Sequence, residues 1–331
     1  MGKGIVETKT EIPNNKETFG ANPAVIDLLH AHRVVVVVPA FNEERFIGSV
    51  VLKILQFPVT VIVVDDGSTD NTSTIAEAAG ALVLRHIKNM GKGEALNTGI
   101  IEARMMNPDA VVVIDGDGQH LAGELPRLVY PILEDEADIV VGSRYLEKTS
   151  DVPNHRVLGH RFFNRLTGMA SRINVSDSQS GYRAFSPKAF KTDLFQSAGF
   201  SVESEMQFIA HEHNLRVVEV PITIRYTDKP KRPVIQQGVI VLNGILHLIG
   251  QYRPLLFFGL PGLIIILTGF GLGFLVINIY GRTKVLAVGY AMISVLLTVS
   301  GMVLFSTGII LHSIRGLLFE MLREKGHASV K

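Results

Sequence analysis

Residues 59–70 read Val-Thr-Val-Ile-Val-Val-Asp-Asp-Gly-Ser-Thr-Asp, an apolar run that stops abruptly in acid. A Val/Ile-rich stretch of this length, closed by turn residues, is the pattern of a strand buried on both faces of a parallel sheet. The pattern recurs on either side. VVVVV at 34–38 runs into Pro39-Ala-Phe-Asn-Glu43, ALVLR at 81–85 into a glycine loop, AVVVID at 110–115 into Gly116-Asp117-Gly-Gln119, and ADIVVG at 137–142 into a further turn. Helical stretches are expected at 43–55, 71–79 and 93–104. Strand–helix alternation at this spacing predicts an α/β domain with a doubly wound, mostly parallel sheet. Such sheets bind ligands at the carboxyl ends of their strands, and here three of those ends are acidic.

The chain has 331 residues, 32 Lys+Arg against 31 Asp+Glu, no Cys and no Trp. Without Cys there is no disulfide framework, thiol nucleophile or Cys-ligated metal. Near-zero net charge speaks against a nucleic-acid partner, which requires a basic excess. The apolar excess lies at the C-terminal end, where 254–281 and 285–314 hold no Asp, Glu, Lys or Arg. Each run is long enough to cross a bilayer, and the residues between them make a tight hairpin. Lys229, Lys231, Arg232 and Arg253 before the spans, and Arg315, Arg323 and Lys325 after them, outnumber Arg282 and Lys284 in the hairpin. The positive-inside rule therefore predicts an integral membrane protein whose large N-terminal part and C-terminal tail are both cytoplasmic. Nothing in 1–20 resembles a signal peptide. Residues 234–250 read as an amphipathic helix in the bilayer interface, beside the Lys229–Arg232 cluster. The expected organisation is a flexible lead-in at 1–31, a catalytic domain at 32–229, a basic juxtamembrane loop and interfacial helix at 230–253, a transmembrane hairpin at 254–314 and a tail at 315–331.

Asp115, Asp117 and Gln119 place oxygen-bearing side chains at alternate positions leaving a buried strand. This suits a hard cation, Mg²⁺ or Mn²⁺, bridging to substrate phosphates. A calcium loop is excluded, since His120 and Pro126 stand where Gly and Glu belong. Asn89-Met-Gly-Lys92-Gly93 opens a helix and predicts phosphate contact through backbone N–H groups or Lys92. No Ser or Thr follows Lys92, and Leu96 replaces the third glycine of a dinucleotide fingerprint, so ATPase and NAD readings fall away. His211-Glu212-His213 lacks the spacing of helical metal ligands and reads as surface.

With VVVVVPAFNEE, VIVVDDGSTDNT, NMGKGEALNTG, VVVIDGDGQH, VVGSRY, DSQSGYRAF and VVEVPITIRY in this order, the chain resembles the polyprenyl-phosphate glycosyltransferases, the group of dolichyl-phosphate mannose synthase within family 2 of the inverting GT-A glycosyltransferases. The resemblance covers roughly 33–228. It implies a GT-A fold and transfer of one sugar from a nucleotide sugar to a prenyl-phosphate lipid, with Mg²⁺ or Mn²⁺ as cofactor. GDP-mannose is the donor it favours, with UDP-glucose and UDP-N-acetylglucosamine as the alternatives. It assigns Pro39, Phe41, Glu43, Val64 and Asp66 to the base and ribose pocket. Asp115, Asp117 and Gln119 become the metal group, with Asp117 and Gln119 in direct contact. Arg144 falls near the sugar and phosphates. Arg225, in a strand ITIRY, falls near the donor diphosphate or lipid phosphate. Catalysis is expected to rest on Asp117, Arg144 and Arg225.

Residues 155–161 are expected to form the acceptor-facing loop, with Arg156 on the lipid phosphate. The family's Gly and Ser are missing from 227–233, so Lys229, Lys231 and Arg232 either replace those contacts or touch anionic lipid. Glu203 and Glu205 are expected to be structural or substrate-orienting, because an anionic phosphate acceptor needs no base. Self-association through the hairpin is a further expectation. A polysaccharide synthase would carry a Gln-x-x-Arg-Trp motif, and this chain has no Trp. A non-catalytic scaffold is opposed by the clustered rim acids, which would destabilise the fold unless a cation is used.

Overall fold

The computed structural model describes residues 23–147, 154–192, 202–225 and 234–328. In chain order the first part comprises α1 (Pro23–Ala31), β1 (Val34–Ala40), α2 (Ile47–Ile54), β2 (Thr60–Asp65), α3 (Thr72–Ala78), β3 (Leu82–Arg85), α4 (Lys92–Met105) and β4 (Ala110–Val113). It continues through α5 (Leu125–Leu133), β5 (Ile139–Ser143), α6 (Asn154–Ser171), β6 (Arg183–Phe185), α7 (Pro187–Phe190), α8 (Val202–Glu212) and β7 (Val217–Pro221). The long α9 (Val234–Tyr252) then leads to a π-helical turn at Leu255–Gly259, α10 (Leu260–Thr283) and α11 (Val288–Ala328).

The sheet has seven strands in the order β3-β2-β1-β4-β6-β5-β7, all parallel except β6, which pairs antiparallel with both β4 and β5. Alternate residues of β1 serve opposite layers, as strand geometry requires. Val34, Val36 and Val38 pack with Ile47, Val51 and Ile54 of α2 and Leu125, Leu128 and Val129 of α5. Val35 and Val37 pack with Ala95, Leu96 and Ile100 of α4. Burial on both faces explains the unbroken valine run.

Four expectations shift. The lead-in expected at 1–31 holds α1, because Val25 and Leu29 are buried, Leu29 within the core. Residues 155–161 are helix rather than loop. Pro153 and Asn154 are start signals, and Phe163, Leu166 and Ala170 continue at helical spacing. The last parallel strand is β7, so Arg225 lies beyond it, next to a single bridge between Ile224 and His120. The expected tail continues α11 to Ala328, through the good helix formers Glu320, Leu322, Arg323, Glu324 and Lys325.

The C-terminal unit stands as a helical hairpin. Leu255–Thr283 and Val288–Gly316 are each 29 residues long. At 1.5 Å per residue, either exceeds a hydrocarbon thickness of about 30 Å. The two helices approach at backbone distance through glycine. A Cβ on Gly262 would stand 2.6 Å from the Phe305 nitrogen, and one on Gly269 would stand 2.4 Å from Thr298 Oγ1. Ser294 Oγ donates to the Gly269 carbonyl at 2.8 Å. This is small-residue packing with an interhelical hydrogen bond, the pattern that associates helices in lipid. Lys284, with φ 54°, ends α10. The Arg315 guanidinium donates to the Tyr252 carbonyl and lies over the Tyr252 ring, 4.8 Å from its centroid.

Candidate active site

The loops leaving β1 and β2 are stitched into one rim. Asn42, at φ 54°, donates its N–H to Ser68 Oγ at 2.9 Å and accepts from the Thr69 N–H at 2.9 Å. The Glu43 N–H donates to Thr72 Oγ1 at 2.8 Å. Asp65 holds the turn after β2, accepting from the Ser68 N–H and from Ser73 Oγ. Phe41 is 41% exposed at this edge, whereas Pro39 is buried in β1. Val64 is a correction to the expected base pocket. Its side chain has 0% exposure and packs in the core beneath α4, because β2 directs alternate residues to that layer.

Asp66 is also more internal than the sequence suggests. Its carboxylate accepts from His86 Nδ1, the Met90 N–H and the Gly91 N–H, each at 2.8 Å. The backbone donors expected to meet a phosphate at Met90 and Gly91 are therefore used by a carboxylate of the chain itself. Lys92 differs in the same way. Its Nζ lies 2.6 Å from Asp115 Oδ1 and 2.7 Å from Glu203 Oε1. Burial works against that ammonium, but the two carboxylates hold it above the ordinary lysine range.

At the end of β4, Asp115 and Asp117 differ in kind. Burial alone would raise Asp115, yet Lys92 first, then His120 and Arg144, hold its carboxyl below the ordinary range. Gly181 leaves room for it, since a Cβ there would stand 2.4 Å from Asp115 Oδ2. Among the described residues, Asp117 accepts only the Gln119 N–H, at 3.0 Å. Burial, followed by the charges of Asp115 and Glu43, pushes it up to about 6. Arg225 is exposed and donates its N–H to the Gln119 carbonyl at 2.9 Å, which brings it beside the acidic run despite a hundred intervening residues.

Arg144 sits behind the rim. Its Nε lies 2.6 Å from Asp177 Oδ2, and its Nη2 donates to the Gln179 carbonyl at 3.4 Å. Asp177, His120, Tyr182 and Arg183 form a wall that sequence reasoning did not assign. Arg183 is 1% exposed and donates to the Ser180 and Ser178 carbonyls. The His120 ring is 5.3 Å from that of Tyr182, and burial lowers its pKa to about 4, so it is neutral near pH 7. The DSQSGYRAF motif was the available signal, carrying Asp177, Tyr182 and Arg183 together. Glu203 belongs to the site through Lys92, and Glu205 is fully buried. Arg156 falls at the start of α6, in a part whose side chains are not described. Lys229, Lys231 and Arg232 lie outside the described residues.

Among the described residues, no three His, Asp or Glu side chains alone enclose a metal ion. A cation at Asp117 would thus need oxygen from elsewhere, as Mg²⁺ does when it takes one or two carboxylates and completes its shell with phosphate and water.

A doubly wound sheet with one reversed strand, and carboxylates gathered at the ends of β1, β2 and β4, defines a GT-A fold. Residues 35–194 match the Glycosyl transferase family 2 signature. The chain is 38% identical over 208 residues to an uncharacterized protein of Methanocaldococcus jannaschii, covering 61% of this chain and 86% of that one. It is 31% identical over 217 residues to the UDP-N-acetylglucosamine–dolichyl-phosphate N-acetylglucosaminyltransferase of Methanococcus voltae, covering 59% and 86%. It is 27% identical over 226 residues to the polyprenol monophosphomannose synthase of Mycolicibacterium smegmatis, covering 64% and 84%. Among solved structures, glucosyl-3-phosphoglycerate synthase from Mycobacterium tuberculosis with Mn²⁺, uridine diphosphate and glucosyl-3-phosphoglycerate superposes with TM-score 0.54 at 26% identity, covering 69% of this chain and 82% of that one. The protein belongs to glycosyltransferase family 2 and is a glycosyltransferase enzyme.

Proposed function

We propose that the enzyme transfers one sugar, with inversion, from a nucleotide sugar to a polyprenyl monophosphate at a membrane surface. The observation that carries the reading lies after β4: a carboxylate, Asp117, pushed up to about 6, in the run whose Gln119 carbonyl receives the backbone N–H of the exposed Arg225. Two apolar helices in the same chain, and relatives named for dolichyl- and polyprenyl-phosphate products, support a lipid acceptor. The charge pattern of the flanks favours a cytoplasmic site with both ends of the chain on that side. The resemblance by itself favours GDP-mannose, while the archaeal relative is named for UDP-N-acetylglucosamine.

The residues present suit a hard divalent cation. Asp117 and Gln119 would hold it, with Asp115 contributing as far as Lys92 allows. When bound, Mg²⁺ or Mn²⁺ supplies charge neutralisation for a departing nucleoside diphosphate. Arg225, exposed and tied by its backbone to Gln119, would hold phosphate oxygens. Arg144 acts from the wall, fixed by Asp177, and with Lys92 and His120 helps hold the Asp115 carboxyl below its ordinary range. A prenyl phosphate is anionic at neutral pH, so its oxygen attacks the anomeric carbon without a protein base. The bond to the nucleoside diphosphate breaks on the opposite side. Rate enhancement then rests on positioning and on charge stabilisation.

Membranes carrying the protein, incubated with labelled nucleotide sugars and prenyl phosphates, are expected to form one labelled organic-soluble lipid. No such lipid from any pairing would overturn the proposal. Glu205→Gln is expected to slow this transfer far less than Asp117→Ala. Equal losses would indicate a carboxylate base and a hydroxyl acceptor instead.

The pH dependence follows from Asp117. Its proton competes with a cation, and its pKa is pushed up to about 6. Mn²⁺ affinity, measured by titration calorimetry on the full chain in detergent, is therefore expected to be flat above pH 7. Below about 6 it should weaken by up to about tenfold per pH unit. A flat affinity down to pH 5 would remove the cation from this carboxylate.

A further inference from the structure

The hydrogen-bond count at Asp66 bears on which nucleotide the donor carries. An ionised carboxylate offers about four in-plane acceptor positions, two on each oxygen. At Asp66 three are taken. Oδ1 accepts from His86 Nδ1 and from the Met90 N–H, and Oδ2 accepts from the Gly91 N–H, all at 2.8 Å. Because the carboxylate can only accept, the His86 proton sits on Nδ1. The other ring nitrogen lies 2.9 Å from Thr98 Oγ1 on α4, which fixes the plane of the ring. Asp66 is 4% exposed, so a base meeting it is drawn out of water.

Resting on the reading of this rim as the nucleotide-sugar site, we propose that His86 makes the enzyme selective for uridine over guanosine diphosphate sugars by filling the second acceptor position of Asp66 Oδ1. The one position left is on Oδ2. Uracil presents a single donor on its pairing edge, N3–H, and one acceptor satisfies it. Guanine presents two donors side by side, N1–H and the exocyclic amine, which match a carboxylate only when both oxygens have a position open. With Oδ1 full, one guanine donor is buried without a partner, and an unmet buried donor weakens binding by about tenfold or more. The two backbone donors cannot withdraw without reshaping the turn at Gly91, where φ is 97°. His86 is the one donor of the three supplied by a side chain, and so the one that sets the preference.

The test is equilibrium binding of UDP and of GDP to the full chain in detergent with Mn²⁺ present, for the wild type and two variants. The wild type is expected to bind UDP at least about tenfold more tightly than GDP. His86→Leu keeps bulk but removes the donor, and is expected to bring the two affinities together mainly by strengthening GDP. His86→Gln restores an N–H donor and is expected to restore the preference. Should His86→Leu fail to fold, Thr98→Val releases the ring from its outer partner and is expected to narrow the ratio. Equal binding or a GDP preference in the wild type overturns the proposal, as does a ratio that no variant changes. If neither nucleotide binds, the reading of the rim as a nucleotide site fails instead. A lipid product formed only from a guanosine donor overturns the selectivity and leaves the transferase reading standing.

Discussion

Asp117→Ala is expected to lower sugar transfer by at least about a hundredfold while leaving membrane insertion unchanged. Of the acids near the end of β4, Asp115 is neutralised by Lys92 and Glu203 is paired with the same ammonium. Among the described residues, Asp117 accepts only the Gln119 N–H. It is thus the acid of the three that lacks an ion pair with Lys92, and the one placed to meet a cation. The same substitution is expected to stabilise the metal-free protein near neutral pH. A carboxyl whose folded-state pKa is pushed up to about 6 contributes stability that is fully present below its ordinary range and lost as pH rises through 6. Deleting it removes a penalty of up to about 3 kcal/mol at pH 8. Activity and melting temperature should therefore move in opposite directions, an outcome that a misfolded variant cannot produce. Transfer at the wild-type rate would sink the assignment of Asp117 to the cation.

Lys92→Gln is expected to be the most damaging substitution for the fold of the site. It removes the ammonium that both Asp115 and Glu203 contact, in a place where the Lys92 side chain is 18% exposed and that of Glu203 is 6% exposed. Breaking a buried pair of this kind costs about 3–5 kcal/mol. Denaturation of the variant in detergent should show a loss of that order, and transfer should fall with it. Adding Glu203→Gln to Lys92→Gln is expected to return part of the lost stability, because one of the two stranded charges is then gone. Strictly additive losses in the double variant would show that the ammonium does not couple the two carboxylates.

The central sheet was legible in the sequence because β1, β2 and β4 are buried on both faces, which forces runs such as 34–38 to be all apolar, while their acidic ends mark where the strands leave the core. The hairpin was legible for an equally simple reason, the exclusion of charge from lipid. What stayed hidden depends on contacts between distant residues. Lys92 read as a phosphate ligand because its partner, Glu203, lies 111 residues away and no local pattern joins them. Asp66 read as an open base contact because nothing near it in the chain announces that His86, Met90 and Gly91 fold back onto it. Val64 was assigned by motif position, although strand alternation alone sends it under α4. β6 has three residues and begins with Arg183, whose charge argues against a buried strand until the Ser178 and Ser180 carbonyls are seen to receive it.

The reversed strand also sets an order in time. β6 lies between β4 and β5, so those two strands have no bond to each other, and β7 is joined to the rest only through β5. During synthesis β3, β2, β1 and β4 can close as a local parallel unit as soon as they emerge. β5 then has no edge to join until the chain has grown through Arg183, since contacts of long sequence separation form late. The half of the enzyme that carries Asp66 and the start of the acidic run can thus assemble first. The wall of Asp177, Tyr182 and Arg183 closes over Asp115 later, when the three-residue β6 docks and gives β5, and through it β7, an edge to join.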